Sequence, residues 1–462
     1  MFEPAIYRAR RDALKERLDG GVALFLGHEE SPMNYADNHY AFRQDSSFLY
    51  LWGLDQPGLA AAIDVDEGTE TLFGHEPGLD EIVWTGPLPT LAERAAGAAV
   101  GRTEPIETLG EQVAAWRAAG RTVHVLPQFR TDNRLRLAGW LGCEPEELDN
   151  RTSETLVRAV IALRQRKSPE EVGEIEKAIE ISCDMHVLAM EAARPGILEA
   201  EVVRRVLACV AQRGASLSFP IIFSVRGEVL HNHAYGNRME AGQLVVHDSG
   251  VSSAVGYASD ITRTFPVSGR FDERQKSVYE TVLRAHERAL ATVGPGVRFR
   301  DLYDGVARDL LEGLRDLGIF RGDSAEAVAR GAHALVFQCG CGHMVGLDVH
   351  DMEALGEDLV GYDETVRRSE LFGVATLRLG RALEPGFVVA VEPGIYFIPE
   401  VFERWRGEGR FAEYFDYAAL EPYMGFGGVR IEDDVLITEE GARVLGPPIP
   451  KTVAEVEAAC GA

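Results

Sequence analysis

The sequence predicts two domains, an α/β N-terminal domain over residues 1–160 and an α+β C-terminal domain with an antiparallel sheet over 161–462. Three observations carry this. The chain has 462 residues, more than one hydrophobic core usually serves. Over the first third, short apolar runs alternate with helical stretches. Beyond residue 168 the apolar strands end in acids and are joined through glycine-bearing connections, an antiparallel pattern.

The elements follow in chain order. Residues 1–18 are charged with a helical pattern, and GVALFL at 21–26 reads as a buried strand. FLYLW at 48–52 reads as a strand. Residues 60–65 and 69–73 form a hairpin about Asp66, Glu67 and Gly68, and 123–126 is another strand. At 168–171, Ser168 is a helix N-cap, Pro169 suits the first helical position, and Glu170 and Glu171 are first-turn acids. A helix should run from there to about Arg194, stopped by Pro195 and Gly196. Strands at 244–248 and 260–265, helices at 273–293 and 301–317, and strands at 388–392 and 428–432 complete an antiparallel sheet with helices on one face.

Composition narrows the function. Lys plus Arg total 47 against 73 Asp plus Glu, a formal charge of −26. Such a chain repels nucleic acid and anionic membranes, so neither is expected as a partner. The start has no apolar signal core, and no run reaches the roughly 18 apolar residues of a membrane span. A cytoplasmic protein is expected. Six scattered Cys do not make a disulfide framework. No Walker loop, HExxH or paired CxxC motif is present, and the glycines at 340–342 and 425–428 lack dinucleotide-loop spacing.

Five residues stand out by type and setting. Asp248 ends an apolar strand, and Asp260 begins the next. Glu392 closes the run FVVAVE, Glu432 lies within VRIEDDVLI, and His343 sits in the glycine-rich CGCGHMVGLDVHD. A lone buried carboxylate is costly unless paired or metal-bound. Any one of these acids alone reads best as a salt-bridge or turn residue. Four strand-embedded acids and a histidine in one domain read better as a shared metal site. Four carboxylates balance two divalent ions, and oxygen-rich ligands with one imidazole suit Mn2+, with Co2+ or Zn2+ possible. Two such ions acidify a shared water and clamp a tetrahedral intermediate, the chemistry of amide hydrolysis.

With its neighbours, this set resembles the pita-bread metallopeptidases: aminopeptidase P, prolidase and methionine aminopeptidase. The matching stretches are HDSG at 247–250, SDITRTF at 259–265, GHMVGLDVHD at 342–351, VEPGIY at 391–396 and GGVRIED at 427–433. The resemblance implies a pita-bread (creatinase/aminopeptidase) catalytic domain whose metal ligands are Asp248, Asp260, His343, Glu392 and Glu432. FRQDSSFLY at 42–50 and GLDQP at 53–57 resemble the N-terminal domain of aminopeptidase P and prolidase, which methionine aminopeptidases lack. That domain is implied to help cover the active-site mouth and to build oligomer contacts.

The implied activity is a dinuclear Xaa-Pro aminopeptidase acting on small proline-containing peptides, with Xaa-Pro dipeptidase (prolidase) as the alternative. FLYLWGLDQP resembles the aminopeptidase; the long stretch 396–428 resembles prolidase and would gate peptide length. The resemblance also implies catalytic roles for Glu392, His350 and His231, and substrate binding by His231, His350 and Arg430. A homodimer or higher homo-oligomer is expected. Relatives of the fold that only bind peptides or proteins, and metal-free amidinohydrolases resembling creatinase, lack the acidic set kept here.

Two departures from the family pattern stand out. Asp248 and Asp260 are one residue further apart than usual, which must be absorbed in the connection or by a bulge to keep both on one face. Cys339 replaces a histidine close to the site, so altered activity or oxidation sensitivity is expected, unless Cys339 and Cys341 serve only as small packing residues. His233 reads as a solvated loop residue.

Overall fold

The computed structural model describes residues 1–461. Ala462, the last residue of the expected second domain, lies outside the described residues. The chain divides into two compact units, Met1–Gln165 with Met352–Gly356, and Arg166–Asp351 with the chain from Glu357 onward.

The first unit is a mixed five-stranded sheet flanked by helices. Its strands are β1 (Val22–Leu26), β2 (Ala60–Asp64), β3 (Thr69–Gly74), β4 (Arg102–Pro105) and β5 (Val123–Val125), in the order β4-β3-β2-β1-β5. The expected hairpin is present: β2 and β3 pair antiparallel, with Asp64 opposite Thr69. Its turn is fastened by the Glu67 amide donating to the Asp64 carboxylate at 3.0 Å. Val22, Leu24, Leu26, Ala60, Ala62 and Phe73 form a core with Leu109, Val113, Leu137 and Leu141 from two helices.

One expected strand is a helix. Ser46–Trp52 is helical, opened by Asp45, whose carboxylate accepts from the Phe48 amide at 2.8 Å, and closed by Gly53 at φ 66°. Residues 47–52 are all buried, so the apolar run shows neither helical nor strand period. The capping residues decide instead. A Cβ on Gly53 would lie 2.1 Å from the Tyr7 ring, so glycine is required there on steric grounds as well.

The second unit begins with the expected helix, Pro169–Ala192. Ser168 and Glu171 form a reciprocal capping box, with Pro169 at the first position. The other long helices are Glu199–Gln212, Glu273–Thr292 and Phe299–Asp316. They accompany antiparallel strands β6 (Ser216–Leu217), β7 (Ile222–Ser224), β8 (Leu244–Ser249), β9 (Val251–Ser252), β10 (Ile261–Pro266), β11 (Val388–Val391), β12 (Gly394–Tyr396), β13 (Gly428–Arg430), β14 (Asp433–Ile437) and β15 (Ala442–Val444). The strands form short sheets, β10-β8-β7, β11-β14-β15, β12-β13 and β6-β9. A bridge from Thr262 to Glu432 ties the first to the junction of β13 and β14, and a bridge from Met344 to Val389 ties the glycine-rich loop to β11. The unit is α+β, and these bridges bring the strand-borne acids together.

Candidate active site

β8 and β10 supply the two aspartates. Asp248 faces Thr262 and Ser249 faces Ile261. The same register continues to the Ser252–Ala258 bridge and the Ser253 amide, which donates to the Tyr257 carbonyl at 2.8 Å. The ladder contains no bulge, so Asp248, Asp260 and Thr262 share one face. The long connection is taken up at the tip, where Gly256 turns at φ 92°. A Cβ on Gly250 would fall 1.8 Å from the Ser259 carbonyl oxygen, which makes that glycine obligatory between the two acids.

The other three expected ligands arrive from different segments. Glu392 follows β11, its amide donating to the Cys341 carbonyl at 2.9 Å. Glu432 sits between β13 and β14, its amide donating to the Thr262 carbonyl at 3.1 Å. His343 lies 3.0 Å through Nδ1 from the Met344 carbonyl, which only accepts, so in the neutral ring Nδ1 carries the hydrogen. Nε2 then presents its lone pair 3.4 Å from Asp260 and 3.9 Å from Glu392. One ligand atom each from Asp260, His343 and Glu432 falls within a 4.8 Å span.

All five line a cavity of about 450 Å³, together with His231, His350 and Arg430. Every site residue singled out from the sequence therefore meets there. Phe219, Pro220, Ile222, Leu230 and Val349 give it an apolar wall. His233, expected in a solvated loop, is exposed and also borders the cavity. Cys339 lines it too, its thiol 4.0 Å from the Tyr396 hydroxyl, while Cys341 is fully buried.

Electrostatics set this cluster apart. Burial, then the charges of Asp248, Asp434 and Glu392, pushes the Asp260 carboxyl well above the usual carboxylate range. Burial, then Asp260 and Glu392, does the same to Glu432. Glu392 is raised by burial, with His343 and Arg430 opposing. Oδ1 of both Asp248 and Asp260 is buried without a hydrogen-bond donor. Unpartnered buried carboxylate oxygens that repel one another, beside an imidazole lone pair, fit divalent cations as ligands. Burial and the neighbouring His343 push His350 down to about 2, and burial followed by Arg430 lowers His231. Both rings are therefore neutral at ordinary pH. The His343 and His350 rings stand 4.4 Å apart, edge to face.

Arg430, expected from the sequence as a substrate-binding residue, holds the acids in place together with residues that sequence reasoning missed. Arg430 donates through Nη2 to Asp248 at 2.5 Å, through Nη1 to the Tyr396 hydroxyl at 2.8 Å and through Nε to Thr262 Oγ1 at 3.1 Å. Thr262 Oγ1 in turn donates to Glu432 at 2.6 Å. Asp434 accepts from the Asp260 amide at 2.9 Å. Behind the site, Arg263 Nη1 donates to the carbonyls of Thr262 and Glu432 at 2.9 and 2.7 Å. Its Nη2 donates to Asp433 at 2.7 Å. Burial would raise the Asp433 carboxyl, but Arg263, His286 and Lys451 hold it below the usual range. Arg378 also lines the cavity and pairs with Glu357 at 3.5 Å. The threonine and the arginine at 262–263 were visible only as part of the SDITRTF match.

A carboxylate-rich cleft with one imidazole ligand and neutral histidines beside it defines a class, the metal-dependent hydrolases. Comparison with known proteins makes the assignment particular. The profile of metallopeptidase family M24 matches residues 173–439, and that of the aminopeptidase P N-terminal domain matches residues 7–125. The chain belongs to metallopeptidase family M24 and is a metal-dependent peptidase with the pita-bread fold. It is 31% identical to the human Xaa-Pro dipeptidase, over 98% of this chain and 93% of that protein. It is equally 31% identical to the Xaa-Pro aminopeptidase of Escherichia coli K12, over 98% of this chain and 96% of the relative. The structure of Pseudomonas aeruginosa aminopeptidase PepP superposes with a TM-score of 0.82 at 28% identity, covering 100% of this chain and 98% of the other.

Proposed function

We propose that this protein hydrolyses the peptide bond between an N-terminal residue and a following proline, as a dinuclear metallo-aminopeptidase. The observation that carries this is the convergence of Asp248, Asp260, His343, Glu392 and Glu432 on one cavity that also holds His231 and His350. The relatives of nearly full coverage bear Xaa-Pro names, which supports the proline assignment. The five residues would hold two divalent ions, Mn2+ first, with Co2+ or Zn2+ as substitutes. When bound, such ions would acidify a water and polarise the scissile carbonyl.

The remaining work falls to the side chains. Glu392 keeps 19% of its side chain exposed where it borders the cavity, so it is placed to take a proton from the attacking water and pass it to the proline nitrogen. His350, held neutral, would donate its N–H to the oxygen of the scissile carbonyl as charge develops. His231 and the apolar wall of Phe219, Pro220 and Val349 would seat the substrate around the proline ring. Arg430 is engaged by Asp248, Thr262 and Tyr396, so it orders the acids more than it meets substrate. Residues 161–462 would form the catalytic domain and 1–160 the aminopeptidase P-type domain. Cytoplasmic location and a homodimer or higher homo-oligomer complete the reading, supported by the family resemblance and, for location, by six free cysteines.

One observation favours the dipeptidase as the second reading. Arg378 places a cation on the cavity lining, suited to the carboxylate of a two-residue substrate. The test is hydrolysis of an Xaa-Pro dipeptide and an Xaa-Pro-Xaa tripeptide, with Mn2+ and after chelation, on wild type and Arg378→Ala. Chelation-sensitive tripeptide cleavage that Arg378→Ala leaves intact supports the aminopeptidase. Dipeptide-only cleavage lost in Arg378→Ala establishes the dipeptidase. Failure of folded, metal-loaded protein to cleave either peptide overturns both.

A further inference from the structure

The histidine that would seat the substrate stands on an irregular segment, and one acid outside the cavity fastens both ends of that segment. Residues 225–237 contain no helix or strand, and Leu230, His231 and His233 within them line the cavity. His231 is only partly covered, so packing alone does not hold it in place. Glu199 does not line the cavity. It opens the helix Glu199–Gln212, and its side chain is fully buried. Among the described residues no Lys, Arg or His side chain pairs with it; donors from the segment satisfy it instead.

At the near end, Glu199 Oε1 accepts from the Val225 amide at 2.8 Å and from the Ser224 hydroxyl at 3.1 Å. At the far end, Oε2 accepts from the Asn237 amide at 3.1 Å, and the Asn237 side-chain amide reaches both oxygens at 3.1 and 3.0 Å. The backbone answers in the opposite sense: the Glu199 amide donates to the Asn237 carbonyl at 3.0 Å, and the Ala200 amide to the Tyr235 carbonyl at 3.1 Å. The link reaches the cavity through Ser224, whose Oγ also accepts from the Asn232 side chain at 2.9 Å. Asn232 lies between His231 and His233, and its Oδ1 accepts from the Ala234 amide at 3.0 Å.

Both carboxylate oxygens act as acceptors, a pattern that an amide cannot reproduce, because its NH2 would face the donors. The helix N-terminus favours an acid at this position. We infer that Glu199 is a positioning residue for substrate binding, which acts by closing the 225–237 segment into the shape that presents His231 to the substrate. The inference rests on the substrate role proposed above for His231.

The test uses full-length, Mn2+-loaded protein and the variants Glu199→Gln, Ser224→Ala, His231→Ala and the Glu199→Gln/His231→Ala pair. Glu199→Gln should raise KM for an Xaa-Pro-Xaa tripeptide about tenfold, the scale of one charge-assisted hydrogen bond lost, with bound metal unchanged. Ser224→Ala, which leaves Glu199 in place and cuts the link to Asn232, should raise KM in the same direction. The double variant should be no worse than His231→Ala, because the two act as one unit. Hydrogen exchange in Glu199→Gln should quicken in residues 225–237 and not at 244–266. Additive losses in the double variant, an unchanged KM in Ser224→Ala, or exchange that quickens across the whole second unit would overturn the inference. Wild-type kinetics in His231→Ala would instead defeat the substrate reading. The exchange measurement needs no turnover, so it still decides whether Glu199 closes the segment.

Discussion

Removing metal should cost stability, and the cost should grow as pH rises. Without a cation, the folded chain holds Asp260 and Glu432 with carboxyls well above the usual range, chiefly through burial and mutual repulsion. The unfolded chain ionises its carboxyls near pH 4. Stability of the metal-free protein is therefore fully present below that point and is lost as pH climbs towards the folded values. Each proton still held by the folded chain costs about 1.4 kcal/mol per pH unit in that range. A bound divalent ion displaces the protons and removes the penalty. The gap between metal-loaded and chelated protein should therefore widen with pH by about 1.4 kcal/mol per pH unit for each carboxyl of the cluster that gives up its proton to the metal. For a unit of this size that is roughly 3–6 °C in Tm per proton. Scanning calorimetry at pH 5.5, 6.5 and 7.5, with Mn2+ and with chelator, measures the gap. Titration calorimetry in buffers of different ionisation heat counts the protons released. A gap that stays flat or narrows with pH, with no proton release, would show that the acids are already ionised in the metal-free chain and would refute the argument.

Three further outcomes follow from single residues. Thr262→Val removes the hydroxyl between Arg430 and Glu432; metal affinity by chelator competition should fall about 10- to 150-fold, the span of a charge-assisted hydrogen bond, and Thr262→Ser should restore it, whereas wild-type affinity in the valine variant contradicts the assignment. Burial, then the charge of Glu392, pushes the Cys339 thiol up to about 12, so at neutral pH it should react with iodoacetamide far more slowly than a free thiol; alkylation at the free-thiol rate would show the thiol to be open and ionisable, and Cys339→His should change kcat without loss of metal. Lys167 and Asp351 pair at 3.0 Å with both side chains 1% exposed; Lys167→Met should destabilise by about 3–5 kcal/mol in urea denaturation, and a loss below about 1 kcal/mol would mean the charge is accommodated without the pair.

How much of this was legible in the sequence depended on whether a residue's setting is local. Asp248 closes one apolar run and Asp260 opens the next, on two strands of one hairpin, so type and spacing together point to a shared face; the longer connection is resolved at the tip around Gly256. The helix start at Ser168 was legible because a capping box is written within four consecutive residues. Residues 48–52 were misread because burial on every side erases the period, and the capping signals, Asp45 and Gly53, stand outside the run. Of the supporting residues, Arg430 was legible through the family resemblance, while the roles of the others were not. Thr262 meets Glu432 across 170 positions, and as a mid-strand threonine it is an ordinary β-former. Glu199 reads as a common first-turn helix acid, and only the return of the chain at Asn237 turns it into a clamp. The ligand set is thus encoded residue by residue, while the groups that hold it in register are encoded only by pairings the fold creates. For this reason Thr262 and Glu199, and not the four acids and one histidine already legible, are the positions at which the structure adds chemistry to the sequence.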